Sequence, residues 1–319
     1  MTKVAVLLGG MSSERDVSLV SGAACAKALR EEGFDVVEID VTHALWEQLG
    51  EADPDVIFNA LHGDWGEDGR VQGVLDMYGK PYTHSGVMAS ALAMDKHRAK
   101  HVLKSVGITV PDGGLFDRLE VAKFHPIATP YVVKPNGQGS SKSVYIVRDE
   151  NSDLREAIAS DKDMGDHVVV ESYIPGRELT VAVKDGQAIC VTEIVAAQSK
   201  NGWYDYDAKY GEDAAKHECP ANLPNYVTDL CMDWAAKAHI ALGCRGVSRA
   251  DFRFNDEKCT PDNLVNKLVM LEVNTQPGMT PTSLVPEQAA HVGEDFNQLC
   301  RWMVEDLSLI HISEPTRPY

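Results

Sequence analysis

KVAVLLGG, residues Lys3–Gly10, decides the fold class of the first third of the chain, because its apolar run ends at two glycines and is typical of a buried strand. A helical pattern follows from about Asp16 to Glu32, and two more apolar runs, FDVVEID and PDVIFNALHG, flank a helical stretch from Ala44 to Leu49. Strands and helices in this alternation predict a parallel sheet with helices on its faces, in which ligands bind beyond the carboxyl ends of the strands. GGMSSER and ALHGDWGEDG follow the first and third strands and are therefore candidate ligand-binding loops.

The chain beyond the first ninety residues has a different pattern. Antiparallel strands with Gly-rich turns are predicted in TPYVVKPNGQGSSKSVYIV and HVVVESYIPGRELTVAVKDGQAICVTEIV, after a helix from about Met94 to Val106. A second helix, from about Val227 to Leu242, precedes two strands, VSRADFRFN and KLVMLEVNT, which an exposed hairpin loop joins. These changes of pattern predict three domains and a tail, at residues 1–94, 95–181, 182–306 and 307–319.

The tail, LSLIHISEPTRPY, follows a helical pattern that ends near Asp306. It resembles a translated sequencing-library adapter, so we interpret residues 307–319 as a non-native tail, with an ordinary flexible terminus as the alternative. In either case the tail carries no information about the fold.

Composition excludes several classes of function. The chain has 319 residues, 44% of them hydrophobic, a formal net charge of -18 and a pI of about 5.0. A protein that binds nucleic acid normally has a basic face, and an acidic surface is repelled by anionic membranes, so neither partner is expected. The N-terminus lacks the pattern of a signal peptide, and no apolar run approaches the roughly 18 residues of a membrane span. The cysteines form no CxxC pair. We therefore expect a cytoplasmic protein with reduced thiols and no structural zinc.

Two apolar strands near the C-terminus carry a possible metal site. In VMLEVNTQPGMT, Glu272 and Asn274 are two positions apart and share one face of a strand, and Arg249 and Asp251 do the same in SRADFRF. If the two strands are neighbours, Asp251, Glu272 and Asn274 converge as oxygen ligands for Mg²⁺. Arg249 beside them can then stabilise a developing oxyanion. The alternatives are a strand end with exposed polar residues and a surface Arg–Asp pair.

Two further segments indicate a nucleotide-binding region. In VVKPNGQGSSKS, Lys134 ends a strand and precedes a turn with Ser140 and Ser141, whose backbone N–H groups can cradle phosphate. The spacing is not that of a P-loop, and a hairpin with a polar tip is the alternative. In VVVESYIPGRE, Glu171 can accept from a purine amine and Glu178 can hold ribose hydroxyls, with an exposed charged strand end as the alternative.

Four more polar residues are candidates by position: Lys96 in AMDKHRAK, Lys209 and Tyr210 in DAKY, and His62 in ALHGDWGEDG. A solvated face is the alternative for the first three, and a structural histidine is the alternative for His62.

The order and spacing of these motifs resemble those of the D-alanine–D-alanine ligase family, in the ATP-grasp superfamily. The resemblance runs from about Lys3 to Asp306 through LLGGMSSERDVSL, ALHGDWGEDG, GVMASALAMDKHRAK, VVKPNGQGSS, YDYDAKY, GCRGVSRADF and LEVNTQPGMTPTSLVP. It implies an α/β fold, α+β overall, which is an ATP-grasp fold with an N-terminal Rossmann-like parallel-sheet domain.

The sequence departs from the family's pattern at Lys142-Ser143, where the family has an apolar residue and then glycine. Loss of that glycine restricts the backbone near the phosphates.

The resemblance also implies a role for each candidate residue. ATP would be bound by Lys96, Lys134, Ser141, Glu171, the backbone near Ile174, Glu178 and Lys209. Two Mg²⁺ ions, which Mn²⁺ can replace, would be held by Asp251, Glu272 and Asn274. The substrate would be bound by Glu14, His62, Arg249, Ser283 and the backbone of Leu284. The catalytic groups would be Arg249 and the Gly278 N–H at the oxyanion, and a domain-linking hydrogen-bonded trio of Glu14, Ser140 and Tyr210.

The implied reaction is the ATP-dependent ligation of two D-alanine molecules through a D-alanyl phosphate, for peptidoglycan precursors and thus for cell wall biogenesis and cell shape. A related ATP-grasp ligase with D-lactate or D-serine as acceptor is the alternative. Ligases that use D-lactate typically show Phe where Tyr210 stands, so the tyrosine favours an amine acceptor. A catalytically inactive nucleotide-binding module is a third hypothesis, which the retained metal ligands and Arg249 disfavour. The family further implies a homodimer.

Overall fold

The N-terminal part of the protein is a three-stranded parallel sheet covered by helices. The structure is a computed structural model that describes residues 1–139, 143–195 and 216–313, with side chains as far as residue 307. The first elements are β1 (Lys3–Leu8), α1 (Arg15–Glu31), β2 (Asp35–Asp40), α2 (Leu45–Ala52), β3 (Val56–Asn59) and α3 (Arg70–Tyr78). The strands are parallel, as the alternation of strands and helices predicted, and their order is β2-β1-β3. A side chain at Gly9, where φ is +69°, would collide with the Asp40 carboxylate, which explains the glycine after β1.

A four-stranded antiparallel sheet forms the central part. Two helices lead into it, α4 (Val87–Met94) and α5 (Lys96–Ser105). Its strands and short helices are β4 (Gly113–Asp117), α6 (Arg118–Val121), β5 (Tyr131–Pro135), β6 (Tyr145–Val147), α7 (Arg155–Ser160), a 3-10 turn (Lys162–Met164) and β7 (His167–Ser172). The strand order is β4-β7-β5-β6, and this sheet buries its own small apolar cluster around Tyr131 and Val133.

A five-stranded antiparallel sheet forms the C-terminal part. Its elements are β8 (Arg177–Lys184), β9 (Gln187–Val195), β10 (Lys216–Glu218), α8 (Asn225–Leu242), β11 (Val247–Phe254), a 3-10 turn (Pro261–Asn266), β12 (Leu268–Asn274), α9 (Leu284–His291) and α10 (Phe296–Ser313). The order β10-β9-β8-β11-β12 makes β11 and β12 antiparallel neighbours. The condition on which the predicted metal site depended is therefore met.

Two apolar clusters join these parts of the protein. One cluster joins the N-terminal sheet to the C-terminal part, where Cys25 of α1 and Cys300 of α10 are both fully buried. The other packs α5 and α8 against β8, β11 and β12. Burial of this apolar surface holds the carboxyl ends of the N-terminal strands close to the C-terminal sheet.

Several local expectations need correction. The helix predicted from Met94 to Val106 is α5, which begins two residues later, at Lys96, because the Asp95 side chain accepts the Arg98 N–H and caps the helix, and α4 before it was not predicted. The final helix runs on to Ser313, past the end expected near Asp306. The loop between β11 and β12 is not simply an exposed loop, since its 3-10 turn buries Leu264. The predicted division after residue 181 falls inside β8, and the domain limits stay a prediction.

All seven cysteines are free in the structure, and Cys25, Cys190, Cys231 and Cys300 are buried. In the described ranges no helix has the length and apolar character needed to cross a membrane.

Candidate active site

Two adjoining cavities lie where the three sheets meet. The larger has a volume of about 750 Å³ and the smaller about 140 Å³. Both are lined by the same five residues, Lys96, Gly139, Arg249, Glu272 and Leu284. Because they share a wall, a ligand in the smaller cavity can reach a ligand in the larger one.

The paired strands β11 and β12 present the predicted metal ligands on one face. Arg249 is directly opposite Asn274, and Asp251 is directly opposite Glu272. The Arg249 guanidinium donates to both carboxylate oxygens of Asp251, at 2.9 and 2.8 Å, and the Thr180 hydroxyl donates to the same carboxylate at 2.6 Å. The side chains of Arg249 and Asp251 are only 14% and 15% exposed. The arrangement therefore concentrates oxygen donors and one guanidinium at the junction of the cavities.

The metal-ligating chemistry of this face is carboxylate and amide oxygen. In the part of the chain that the structure describes, no three His, Cys, Asp or Glu side chains cluster as a self-sufficient metal site. Two carboxylates and a carboxamide fit Mg²⁺, which takes few protein ligands and completes its shell with water and substrate phosphate.

A buried charge cluster lines the smaller cavity. Glu171 is 3% exposed, and its carboxylate contacts Lys134 at 2.5 Å and also contacts Lys100. Burial lowers the pKa of Lys134 to about 8 and lowers the pKa of Lys100 well below the usual value of lysine. Lys134 thus remains largely cationic at neutral pH, while Glu171 neutralises part of the charge.

The far end of the smaller cavity is apolar with a polar edge. Its lining includes Val132, Ile146 and Ile194, together with Ile174 and Glu178. Arg253 contacts Glu178 at 3.3 Å and donates to the carbonyl of Ile174 at 3.2 Å. Apolar walls with a backbone edge and a carboxylate match the stacking and hydrogen-bonding needs of a purine nucleoside.

Lys96 connects the two cavities. It begins α5, and its ammonium group lies 3.4 Å from a Glu272 carboxylate oxygen and donates to the Gln138 carbonyl at 2.6 Å. The turn after β5 is therefore tied to the metal-ligand face. Ser143, at the position where the family has glycine, has a φ of +55°, a left-handed conformation that glycine adopts more easily.

The N-terminal part contributes Glu14 and His62 to the larger cavity. Ser12 donates to the His62 carbonyl at 2.6 Å and accepts the Glu14 N–H at 3.1 Å, which joins the loops after β1 and β3. The ring nitrogens of His62 lie 3.1 Å from Ser21 Oγ and 3.3 Å from a Glu67 oxygen. The imidazole is therefore held on both sides, as in the structural alternative, although it also forms part of the cavity wall.

The turn before α9 forms the opposite end of the larger cavity. Ser283 Oγ lies 2.8 Å from Thr280 Oγ1 and accepts the Thr280 N–H at 3.1 Å, so the turn is tightly closed. A Cβ at Gly278 would lie 3.0 Å from Ser283 Oγ, so a larger residue there would have to displace this hydroxyl. Leu284 begins α9 and lines the cavity, and because the first N–H groups of a helix lack intrahelical partners, this helix end is a favourable place for a carboxylate.

One buried side chain that sequence reasoning missed joins the metal-ligand strand to the N-terminal sheet. Gln276 is 2% exposed, and its carboxamide oxygen accepts from Asn59 Nδ2 at 2.7 Å, while its amide nitrogen donates to the Leu61 carbonyl. Its backbone N–H donates to Asn274 Oδ1 at 2.8 Å. Gln276 therefore sets the position of Asn274 relative to the loop after β3.

The structure brings most of the predicted site residues together. The larger cavity is lined by Glu14, His62, Lys96, Arg249, Glu272, Asn274, Gly278, Ser283 and Leu284. The smaller cavity is lined by Lys96, Lys134, Glu171, Ile174, Glu178, Arg249, Asp251, Glu272 and Leu284. Four predicted residues lie outside the described ranges: Ser140, Ser141, Lys209 and Tyr210.

The residues at the site that were not predicted include Lys100, Arg253, Gln276 and His217. Lys100 had a sequence signal, since it follows Lys96 by four residues and lies on the same helical face. Arg253 had one too, because it is two positions beyond Asp251 on the strand. The contacts of Gln276 and His217 are with residues far away in the sequence, so no local pattern indicated them.

Comparison with known proteins agrees with this geometry. The family model described as D-ala D-ala ligase C-terminus matches residues 104–305, and that described as D-ala D-ala ligase N-terminus matches residues 46–85. A D-alanine–D-alanine ligase of Caulobacter vibrioides is 55% identical over 308 residues, covering 95% of this chain and 92% of the relative. One of Methylocella silvestris is 55% identical over 306 residues, covering 96% and 98%.

A solved structure is similar over the whole length. The D-alanine–D-alanine ligase of Bacillus anthracis, complexed with ATP, has a TM-score of 0.79 and 29% sequence identity, covering 98% of both chains. The C-terminal family model alone spans more than half of the 319 residues. The sequence, the cavities and these comparisons together show that the chain belongs to the D-alanine–D-alanine ligase family.

Proposed function

We propose that this protein ligates two D-alanine molecules to D-alanyl-D-alanine at the expense of ATP. The observation that carries the proposal is the register of β11 and β12, which sets Arg249 opposite Asn274 and Asp251 opposite Glu272 at the junction of the two cavities. Membership of the ligase family supports the same reaction.

ATP would occupy the smaller cavity and extend to the junction. The purine would lie between the apolar walls, next to Glu171 and the Ile174 backbone, and the ribose would contact Glu178. Lys96 and Lys134 would bind phosphate oxygens, because both line the smaller cavity and Lys96 contacts the Gly-rich turn at the Gln138 carbonyl. Ser141 and Lys209 complete the proposed phosphate site.

The donor set fits magnesium. Asp251, Glu272 and Asn274 would hold two Mg²⁺ ions, or Mn²⁺ in their place, since hard oxygen ligands suit these cations. Bound there, Mg²⁺ would neutralise charge on the phosphoryl oxygens during transfer.

The two D-alanine molecules would occupy the larger cavity. The Glu14 carboxylate would receive the ammonium group of the first D-alanine, near His62 in the same cavity wall. The carboxylate of the second would lie at the α9 N-terminus, against Ser283 and the Leu284 backbone. Each substrate is thus oriented by a group of opposite charge, which brings the acceptor amine to the acyl carbon.

The reaction follows from the poor leaving group of a carboxylate. The carboxylate of the first D-alanine attacks the γ-phosphate, which forms a D-alanyl phosphate, while Lys96 and Lys134 stabilise the transferred phosphoryl group. The amine of the second D-alanine, once deprotonated, attacks the acyl carbon, and phosphate leaves. Arg249 and the Gly278 N–H stabilise the tetrahedral oxyanion. Glu14, Ser140 and Tyr210 would close the three domains over the acyl phosphate, which water would otherwise hydrolyse.

The wider setting is also a proposal. The product would serve peptidoglycan precursor synthesis in the cytoplasm, by a homodimer whose subunits each contain the three predicted domains. A ligase with D-lactate or D-serine as acceptor remains the second candidate, and Tyr210 favours the amine.

Phosphate release tests the function directly. With ATP and Mg²⁺, we expect release that depends on D-alanine alone, and D-alanyl-D-alanine as the product when D-lactate or D-serine is also present. Asp251→Ala should lower turnover by more than about a hundredfold, because metal stabilisation of the transition state is worth several kcal/mol. Asp256→Ala, at an exposed position just past β11, is the matched control. Phosphate release without any D-amino acid, or near-normal turnover of Asp251→Ala, would refute the assignment.

A further inference from the structure

His217 lines the larger cavity but has no part in the reaction described above. It lies on β10, where the ladder pairs it with Ile194 of β9, so its backbone is held by the sheet. Its side chain is 19% exposed. His217 is therefore a partly buried, titratable side chain in the proposed D-alanine cavity that still lacks a role.

Glu287 orients the imidazole. Nδ1 of His217 lies 2.9 Å from Oε2 of Glu287, which is in the first turn of α9. The Glu287 N–H donates to the Ser283 carbonyl at 2.9 Å, so this carboxylate is one helical turn from the residue at the helix N-terminus. Since an ionised carboxylate only accepts, Nδ1 carries a proton, and Nε2 is the ring nitrogen without a hydrogen-bond partner in the described part of the chain.

Among the described side chains that line the cavity, carboxylates outnumber permanent cations. Four carboxylates line it: Glu14, Asp16, Glu67 and Glu272. Of the lining residues that the structure describes, the two permanent cations are Lys96 and Arg249, and each already contacts a carboxylate, Glu272 and Asp251 respectively. A positive group next to a substrate carboxylate in this cavity would therefore add to the attraction of the α9 N-terminus and of the proposed Mg²⁺ ions.

We propose that His217 binds the carboxylate of the second D-alanine, beside the N-terminus of α9; this inference rests on the proposed ligase function. In the complex the ring lies between two carboxylates, that of Glu287 at Nδ1 and that of the acceptor at Nε2. The imidazolium form donates to both, and each bond is charge-assisted. Glu287 acts through His217, so it is a positioning residue for the acceptor site.

The experiment separates the two D-alanine sites by kinetics. Initial rates of the full-length enzyme over a wide range of D-alanine concentrations give one KM for the first D-alanine and another for the second. We expect His217→Ala to raise the acceptor KM by about tenfold to a hundredfold, as for loss of a charged hydrogen bond. The KM values for ATP and for the first D-alanine should stay within about twofold, since neither ligand contacts this ring. His217→Gln, which keeps a side-chain donor, should recover part of the affinity.

Three comparisons exclude an indirect effect. His167→Ala, at an exposed position on β7, is the matched control and should leave both D-alanine KM values unchanged. With D-alaninamide as the acceptor, which lacks the carboxylate, wild type and His217→Ala should differ by less than about twofold. Glu287→Ala should raise the acceptor KM in wild type but add little in a His217→Ala background, because the two residues act as one unit.

The failure of this inference can be told from the failure of the proposed function. An acceptor KM of His217→Ala equal to that of wild type would overturn the role of His217 and leave the ligase function intact. A rise that is equal for D-alanine and D-alaninamide, or equal for both D-alanine sites, would also overturn it. Wild-type protein without D-alanine-dependent phosphate release would overturn the ligase function and this inference together.

Discussion

Replacing Glu171 by glutamine tests the buried charge cluster on the nucleotide side of the site. The change keeps the shape of the side chain and removes its charge. Glu171 is 3% exposed and its carboxylate contacts both Lys100 and Lys134. Without it, two buried ammonium groups lose their shared counter-charge, and the cost of burying them rises.

The expected loss follows from the burial of all three groups. Lys100 and Lys134 are each 8% exposed, and burial already lowers the pKa of both. Removing one partner of such a pair costs about 3–5 kcal/mol, in contrast to less than about 1 kcal/mol for an exposed pair. In a chain of this size that corresponds to a fall in Tm of roughly 5–7 °C.

Thermal unfolding followed by circular dichroism at neutral pH measures the effect. Glu120→Gln is the matched control, because Glu120 and Lys123 form a 2.8 Å pair whose side chains are 49% and 66% exposed. We expect the Tm of Glu120→Gln to stay within about 2 °C of wild type. A Tm of Glu171→Gln that is equally close to wild type would show that the three charges do not interact as the structure indicates.

Two further predictions concern the lysine itself and the link to the N-terminal sheet. Burial lowers the pKa of Lys134 from 10.5 to about 8, so between these pH values the unfolded chain binds a proton that the native protein does not. The free energy of unfolding of wild type relative to Lys134→Met should therefore rise across this window, measured by urea unfolding at a series of pH values, and a flat difference would count against the burial argument. Gln276→Ala should cost about 1–3 kcal/mol, because it removes the 2.7 Å acceptor of the buried Asn59 amide and leaves that amide its longer 3.3 Å bond to the Gly66 carbonyl, and it should also lower turnover by displacing the metal-ligand strand. Gln187→Ala, at an exposed position, controls for the loss of an amide, and equal stabilities of the two variants would contradict the role of Gln276.

Much of the fold could be predicted because its strongest signals are local. The N-terminal strands are continuous apolar runs, and β1 is almost fully buried, as parallel strands covered on both faces must be. By contrast, β4 begins with Gly113-Gly114 and alternates between exposed and half-buried positions, so its pattern is weak. The helix expected from Met94 to Val106 is α5, and its start at Lys96 is set by the capping bond of Asp95, a residue whose role in the sequence was not recognised.

Strand pairing was harder to predict, because it depends on contacts between distant residues. β7 and β8 are consecutive strands, yet β7 pairs with β4 and β5 while β8 pairs with β9 and β11. Nothing in their composition distinguishes the two sheets. The predicted domain limit inside β8 shows the same limitation, since a change of architecture is visible in the sequence only to within several residues.

By itself, the sequence determined which side chains share a face. The two-residue spacing of Arg249 and Asp251, and of Glu272 and Asn274, is enough, because a strand directs alternate side chains to the same side. Only the tertiary structure decided that these faces meet, which charges neutralise each other, and that Gln276 and His217 belong to the site. The physical reason is that backbone geometry is local, whereas burial and ion pairing depend on elements that are brought together only when the apolar faces of three sheets are packed.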